Sequence, residues 1–404
     1  MNTKTQFLKL LFSSLLLMLS INIMGQNAFI TKWDTRNDGI TDDNEIRIAL
    51  GEDTGYTYDY SIDWGDGSNN EHVTDEITHT YATSGIYSIS IIGDFPYMNM
   101  STVFKNTDAN KLLDIVQWGT IEWQSMNRSF ANCENLIISA IDAPDLSKVT
   151  TLSYMFNRCS SLNQPIGHWN TSTIKEMNDT FSGATNFNQD INSWDVSNVE
   201  DMTSMFENAR AFNQPLDTWN VENVEYMISM FDTAKSFNMP IGNWKTNSLY
   251  STSKMFYAAE AFNQPIGDWN MSKNRVMLEM FYGARRFNQD ISPWDVSNVT
   301  SMRHTFGFAL DFNQDISNWN VSNVTNMSYM FQYAEAFNQD ISGWNVQNVL
   351  SFENMFRNTK AFDQNLGSWD IRKADFFPPN LNNAGLSTDN YHKTLKRWAA
   401  LTSS

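Results

Sequence analysis

Three aspartates, Asp290, Asp315 and Asp340, come closest to a chemical site in their type and spacing. Each lies four residues before a tryptophan, and successive members are separated by the same 25-residue interval. If the chain stacks with that period, the carboxylates approach to about 4.8 Å. At that distance they repel each other unless water or a cation bridges them. Two interpretations stay open: exposed turn residues, or a weak stripe for a divalent metal such as Ca²⁺.

A second acidic pattern lies near the start of the chain. Asp34, Asp38, Asp42 and Glu45 partly match the spacing of a calcium-binding loop. Arg36 takes a ligand position, however, and strand patterns rather than a helix follow the segment. It is therefore either a solvated acidic turn or a calcium loop, and we expect no other cofactor.

The five histidines lie at unrelated positions of the sequence: His72, His79, His168, His304 and His392. None has a Ser or Cys arrangement typical of a nucleophile triad or a zinc site. A polysaccharide-cleaving enzyme would need a break in the repeat with clustered Asp and a basic residue, and no such break exists. We therefore expect no catalytic residue and no enzymatic activity.

A strict repeat must position all of these residues. Its marker is a tryptophan that recurs with a 25-residue period and without an insertion: Trp169, Trp194, Trp219, Trp244, Trp269, Trp294, Trp319, Trp344 and Trp369. Ile or Leu precedes each Trp by three residues, Phe follows most of them by twelve, and a small residue follows by fifteen. A period of this length is the signature of a solenoid.

Each repeat contains two local patterns. Trp194 and Val196 alternate with polar residues, which predicts a short strand. The apolar residues behind it are spaced i, i+3, i+4, i+7, as on one face of a helix: Met202, Met205, Phe206 and Ala209. We therefore predict an α/β solenoid of about ten coils, each a strand and a short helix. A parallel β-helix competes, but it requires alternation throughout the repeat.

Two further columns test the stacking. Cys133 and Cys159 occupy the slot that holds Ala in later repeats, so they are either buried small hydrophobes or an inter-coil disulfide. An Asn recurs six residues before each repeat Trp from Asn163 to Asn338. Stacked amides can satisfy the backbone of neighbouring turns, which predicts a structural role for that column.

The rest of the chain divides around the repeats. Residues 1–25 read as a signal peptide, with Lys4 and Lys9 before a short apolar stretch. Residues 101–143 read as an N-terminal cap with a degenerate coil, residues 144–375 as the solenoid, and residues 376–404 as a C-terminal cap. A helix from Thr388 to Leu401 belongs to that last segment.

Residues 27–98 lack the 25-residue period. Three segments there alternate like strands, 46–50, 58–64 and 87–91, and Gly65 to Ser68 forms a tight-turn signal between them. Closely spaced strands with Gly-rich turns predict a small all-β sandwich.

Two resemblances add to this interpretation. Trp-Gly-Asp-Gly-Ser at 64–68, followed by His-Thr-Tyr at 79–81, resembles the polycystic kidney disease (PKD) type immunoglobulin-like domain. The repeats, especially 312–324, resemble those of BspA-family leucine-rich-repeat surface proteins of bacteria, and 111–119 resembles the entry to such an array. The resemblance implies surface exposure and adhesion, and it transfers no individual binding residue.

The predicted function is that of an interaction or adhesion protein, secreted or on the cell surface of a bacterium. The net charge of −18 disfavours nucleic acids and anionic membranes, and no segment after the signal is apolar enough to span a bilayer. We expect a monomer that binds an extracellular protein or glycan, with carbohydrate capture as the alternative. Tyrosines in equivalent slots, Tyr154 with Tyr329 and Tyr257 with Tyr282, indicate a binding surface, but the ligand-binding residues stay unknown.

Overall fold

Alternating strand patterns dominate the first part of the chain and the 25-residue period the rest, and the chain folds as two units. The computed structural model describes residues 27–51, 55–102, 107–374 and 377–402. The units are Met1–Val149 and Thr150–Ser404. The predicted signal peptide, residues 1–25, lies outside the described residues.

The first unit is built from eight strands within the described residues. They are β1 (Phe29–Asp34), β2 (Glu45–Ile48), β3 (Asp59–Asp63), β4 (Asn69–Val73), β5 (Ile77–Thr80), β6 (Ile86–Asp94), β7 (Leu112–Gln117) and β8 (Ile137–Ile138). One sheet has the order β4-β3-β6-β1-β7-β8, and β2 pairs with β5 in a second. The three strand segments expected before residue 98 are therefore present.

The end of the first unit changes from antiparallel to parallel pairing. The strand pairs among β1 to β6, and the pair of β1 with β7, are antiparallel. Strands β7 and β8 are parallel, with Asp114 opposite Ile137. Strands β7 and β8 come from the segment expected to cap the repeats, and they extend the same sheet as β1. Aromatic rings fill the core beside them: Phe29 lies 5.2 Å from Trp123 and 5.7 Å from Trp118, between ring centroids.

The second unit consists of stacked 25-residue coils. Parallel bridges join equivalent residues of successive coils, one per coil, from Thr151↔Glu176 to Asn326↔Ser351. The residues that recur in every coil, such as the repeat Trp, are called the register residues here. They form columns inside the stack, where every repeat Trp is at most 4% exposed. Neighbouring Trp rings stack at 6.0–6.5 Å, as in Trp244–Trp269 and Trp219–Trp244. Burial of these columns is the main stabilising term of the unit.

The prediction of a strand and a short helix in each coil is wrong. Trp194 and Val196 lie in irregular backbone, and the segment from Met202 to Ala209 is a chain of turns. Backbone N–H groups there alternate between two kinds of acceptor. Met202 donates to the carbonyl of Tyr226 in the next coil, whereas Met205 donates back to that of Met202. A helix would instead send every N–H to the residue four before it.

Left-handed residues explain why no helix forms. The residues 10 and 14 positions after each Trp from Trp169 to Trp344 have positive φ, for example Ser204 at 54° and Asn208 at 55°. This conformation costs about 1–2 kcal/mol for a residue other than glycine. Hydrogen bonds to the next coil and burial of the Met and Phe columns offset that cost. The apolar i, i+3, i+4, i+7 spacing is thus satisfied by turns whose bonds are non-local.

The C-terminal helix is present as predicted. Helix α1, Thr388–Thr402, is the one complete α-helix in the described residues. Its residues bond to the last coil: the Nε1 of Trp398 donates to the carbonyl of Leu366 at 3.0 Å, and the amide of Leu366 donates to the hydroxyl of Thr394 at 3.0 Å. No helix among the described residues has the length and apolar character needed to cross a membrane.

Candidate functional site: a binding face on the repeats

The residues that repeat most strictly are occupied with the fold. The Nε1 of each Trp from Trp194 to Trp369 donates to the carbonyl 28 residues earlier, at 2.9–3.2 Å. In the Asn column, the Oδ1 of Asn263 accepts the backbone N–H of Asn288 and the Nε2 of Gln289. The structural role predicted for this column is confirmed, so binding residues must be sought in slots that vary.

The variable slots lie together on one face of the stack. We define the ladder face as the side chains 10, 13 and 14 positions after each repeat Trp. In the slot at 13, consecutive coils carry Glu207, Asp232, Tyr257, Tyr282, Gly307, Gln332 and Arg357. Backbone bonds align these residues, since Thr233 donates to the carbonyl of Tyr257 at 2.7 Å and Ala258 to that of Tyr282 at 2.6 Å.

An aromatic cluster occupies the middle of the ladder face. We define it as Tyr257, Tyr282, His304, Phe308, Tyr329 and Tyr333. The ring centroids of Tyr257 and Tyr282 lie 4.8 Å apart in a stacked pair. His304 stacks on Tyr329, and Phe308 on Tyr333, both at 4.5 Å. Tyr282 joins the pairs through contacts at 5.3 Å with His304 and 5.2 Å with Phe308.

A glycine makes room for the cluster. A Cβ on Gly307 would lie 2.9 Å from Cδ2 of Tyr282 and 3.2 Å from Nδ1 of His304. Most coils carry a larger side chain in this slot, so Gly307 is what lets the Tyr282 ring lean across the next coil. Burial lowers the pKa of His304, and Arg303 lowers it further.

Two cations of the chain itself lie against the aromatic cluster. The Nζ of Lys254 is 5.6 Å from the ring centroid of Tyr257, and the guanidinium of Arg303 is 5.7 Å from that of Tyr329. Both also pair with the carboxylate of Glu279, at 3.7 Å and 3.2 Å. This part of the ladder face thus combines ring faces with a carboxylate around each cation.

Carboxylates occupy the neighbouring coils of the ladder face. Burial raises the pKa of Asp179 to about 6, although a hydrogen bond with Tyr154 opposes the shift. Burial, followed by repulsion from Glu207, raises the pKa of Asp232 to about 7. We call Asp179, Glu207 and Asp232 the acidic group. Sequence reasoning missed it, because Asp179 lies in the slot at 10, Glu207 and Asp232 lie in the slot at 13, and later coils carry other residue types in both slots.

The three aspartates of the candidate metal stripe lie apart from the ladder face, in exposed turns. The Oδ1 atoms of Asp290, Asp315 and Asp340 each accept the backbone N–H two residues on, at 2.9–3.0 Å. These bonds lower the pKa of Asp315. Among the described residues, no three or more His, Cys, Asp or Glu side chains are grouped so as to hold a metal ion.

The acidic loop near the start of the chain is organised around a lysine. Asp34 pairs with Arg36 at 2.8 Å. The fully buried Nζ of Lys111 donates to the carbonyls of Thr41, Asp42 and Glu45 and to the hydroxyl of Thr41, at 2.8–3.0 Å. An ammonium group therefore fills the oxygen-lined space of this segment, for which the sequence left open a solvated acidic turn or a calcium loop.

Among the described residues, the contacts around His79 do not make a catalytic triad. Ser68 and Asp66 both contact the Nε2 of His79, at 3.4 Å and 2.9 Å, whereas a triad needs its base to use both ring nitrogens. Cys133 and Cys159 are both fully buried. The disulfide between them stays a prediction.

Comparison with known proteins identifies the repeats. Residues 98–217, 189–294 and 276–398 each match the model of the family described as Mycoplasma protein of unknown function, DUF285. The matches together cover well over half of the chain. The chain belongs to the DUF285 family. The overlapping DUF285 matches span the coils and most of helix α1, while residues 27–97 lie outside them. No curated protein and no solved structure matches the chain.

Proposed function

We propose that this chain is an interaction protein, secreted or held on a bacterial cell surface, that binds a protein ligand through the ladder face. The observation that carries the proposal is the position of the aromatic cluster. The register residues are buried, whereas the partly exposed rings of the cluster gather on one face over four successive coils. Clustered Tyr and Phe with nearby Arg match the residue types enriched in protein interfaces and their hot spots.

Ring packing favours a protein over a glycan as the ligand. A sugar stacks on a free aromatic face, but the rings of Tyr257 and Tyr282 cover each other, as do those of Phe308 and Tyr333. Such stacks present mainly ring edges and hydroxyl groups to the solvent. Edges and hydroxyls suit the mixed apolar and hydrogen-bonding contacts of a protein surface.

The extracellular setting rests on the sequence. The signal pattern in residues 1–25, the PKD-like motifs and the BspA-like repeats all support export. A solenoid is suited to this role because each coil contacts only its neighbours, so the slots of the ladder face vary without disturbing the register columns.

The test is binding of the purified chain to a panel of extracellular matrix proteins and to a glycan array. The variant Tyr282→Ser/Phe308→Ser removes the centre of the aromatic cluster. Its matched control, Tyr391→Ser/Phe377→Ser, removes a Tyr and a Phe that are 42% and 49% exposed elsewhere on the same unit. We expect binding to at least one protein, reduced about tenfold or more by the first variant only. Binding to glycans alone, to no protein, or equal loss in both variants contradicts the proposal.

A further inference from the structure

The acidic group directly adjoins the aromatic cluster in one slot. Glu207 and Asp232 occupy the slot at 13 in the two coils before Tyr257 and Tyr282. Backbone bonds between these coils keep them in register: Asn208 donates to the carbonyl of Asp232, and Thr233 to that of Tyr257, both at 2.7 Å. A ligand that lies along the ladder face therefore meets two carboxylates and then two tyrosines at successive coil spacings.

The carboxylates of this region form no ion pair within the described part of the chain, although the more distant Lys254 counters the rise in the pKa of Asp232. No lysine, arginine or histidine lies within 4.0 Å of a carboxylate oxygen of the acidic group. The same holds for four further acids on these coils: Glu176, Glu200, Asp201 and Glu225. By contrast, Glu279 in the aromatic region pairs with both Lys254 and Arg303. Carboxylates without an ion pair are thus concentrated on the coils that precede the rings.

The burial of the acidic group makes it receptive to a cation. Asp179 and Asp232 are already partly dehydrated in the folded chain. This loss of hydration disfavours the charged carboxylate and raises the pKa of each carboxyl group. An incoming cation therefore pays little further desolvation on this side of the contact. The carboxylates are not grouped so as to share one metal ion among the described residues. That spacing suits several cationic side chains on one ligand.

Lys254 and Arg303 show the chemistry within the chain itself. Each places its charge against a tyrosine ring and a carboxylate. A cation–π contact combined with an ion pair is a recurrent way to bind lysine and arginine at an interface. The acidic group offers carboxylates of the same face that have no such internal partner.

We propose that the ligand of the ladder face is a protein segment containing Lys or Arg, whose cations lie against the acidic group and whose apolar residues rest on the aromatic cluster. The inference rests on the function proposed above and names the chemistry of its partner. Anionic ligands such as nucleic acids or acidic polysaccharides are repelled by the same carboxylates.

The experiment measures fluorescence anisotropy of short labelled peptides with the whole chain. One peptide combines Lys and Arg with Leu and Tyr, a second replaces the basic residues by Gln, and a third by Glu. At pH 8, where the carboxyl groups of Asp179 and Asp232 are ionised, the variant Asp179→Asn/Glu207→Gln/Asp232→Asn removes three charges from the ladder face. Its control, Asp217→Asn/Glu222→Gln/Asp268→Asn, removes the same three residue types at exposed turn positions.

We expect the basic peptide alone to bind, with affinity falling several-fold between about 50 and 300 mM salt. The acidic-group variant should weaken binding about tenfold and the control less than about twofold. Equal binding of the Gln peptide, or equal weakening in both variants, overturns the cationic partner. If the Gln peptide binds and Tyr282→Ser/Phe308→Ser abolishes that binding, the proposed function survives without this inference. If no peptide and no matrix protein binds, both fail.

Discussion

The indole Nε1 of Trp398 lies 3.0 Å from the carbonyl oxygen of Leu366. Leu366 occupies the slot whose carbonyl, in every earlier coil from Ile166 onward, accepts the Nε1 of the next repeat Trp. Trp398 comes from helix α1 rather than from a coil, so its separation from the acceptor along the chain differs from that of the repeat tryptophans. The helix thus supplies the last tryptophan of the column and ends the stack.

We predict that Trp398→Ala destabilises the C-terminal coils by about 3–5 kcal/mol, since it removes a buried indole from the end of the column. Trp398→Phe keeps most of the ring but loses the N–H, and should cost about 1 kcal/mol. Hydrogen exchange measures the effect, and protection should fall first near Leu366. Uniform loss of protection across the unit would contradict a terminal cap.

The Asn column should be sensitive to a single truncation. Asn263→Ala leaves the backbone N–H of Asn288 without its 2.9 Å acceptor, which should cost about 1–3 kcal/mol. Asn186→Ala, at an exposed position outside the column, is the control and should change stability little. Urea unfolding of both variants provides the comparison, and equal midpoints would refute a stabilising role for the column.

Lys111 should be essential to the first unit. Lys111→Met leaves the fully buried Asp108 carboxylate, 3.9 Å from the ammonium, without its charge partner. Breaking a buried pair typically costs about 3–5 kcal/mol. Lys148→Met, at an exposed pair with Glu122, should have little effect.

The measurement for Lys111 is thermal unfolding with and without calcium. Because the ammonium already fills the oxygen-lined loop, calcium should leave the melting temperature of the parent chain unchanged. Stabilisation of the parent by calcium would mean that a metal site exists there or at Asp290, Asp315 and Asp340.

The acidic group should make stability depend on pH. Asp179 and Asp232 have folded pKa values of about 6 and about 7, against an ordinary value of 3.8. At pH values between the ordinary pKa and the folded pKa values, the folded chain binds more protons than the unfolded chain. Stability therefore rises as pH falls from 8 to about 5. The contribution is lost as pH rises through the folded pKa values.

The variant Asp179→Asn/Asp232→Asn tests this dependence. At pH 8 it should melt about 2–4 °C above the parent, and near pH 5 the difference should vanish. Asp315→Asn is the control. Its effect on stability should have the opposite sign, because hydrogen bonds lower the pKa of that exposed carboxyl. A pH-independent difference between the double variant and the parent would rule out protonation as the cause.

Much of the core could be read from the sequence. The 25-residue period identified the buried Trp, Ile and Phe columns and the Asn column, because side-chain polarity at each slot reports burial directly. The C-terminal helix was predicted from the segment that follows the last repeat. The strands before residue 98 followed from alternation for the same reason. The candidate binding face was only hinted at by the paired tyrosines, such as Tyr257 and Tyr282.

The sequence alone therefore determined which residues face inward and how often they recur. Tertiary structure decided the backbone between them: the spacing of Met202, Met205 and Phe206 suits a helix and a chain of turns equally well. The choice depends on carbonyls of the next coil, such as that of Tyr226, which no local pattern contains. For the same reason only stacking could place Glu207 and Asp232 beside Tyr257, or carry Lys111 into the loop at Thr41. These are contacts between distant segments, and their energies exist only once the chain is folded.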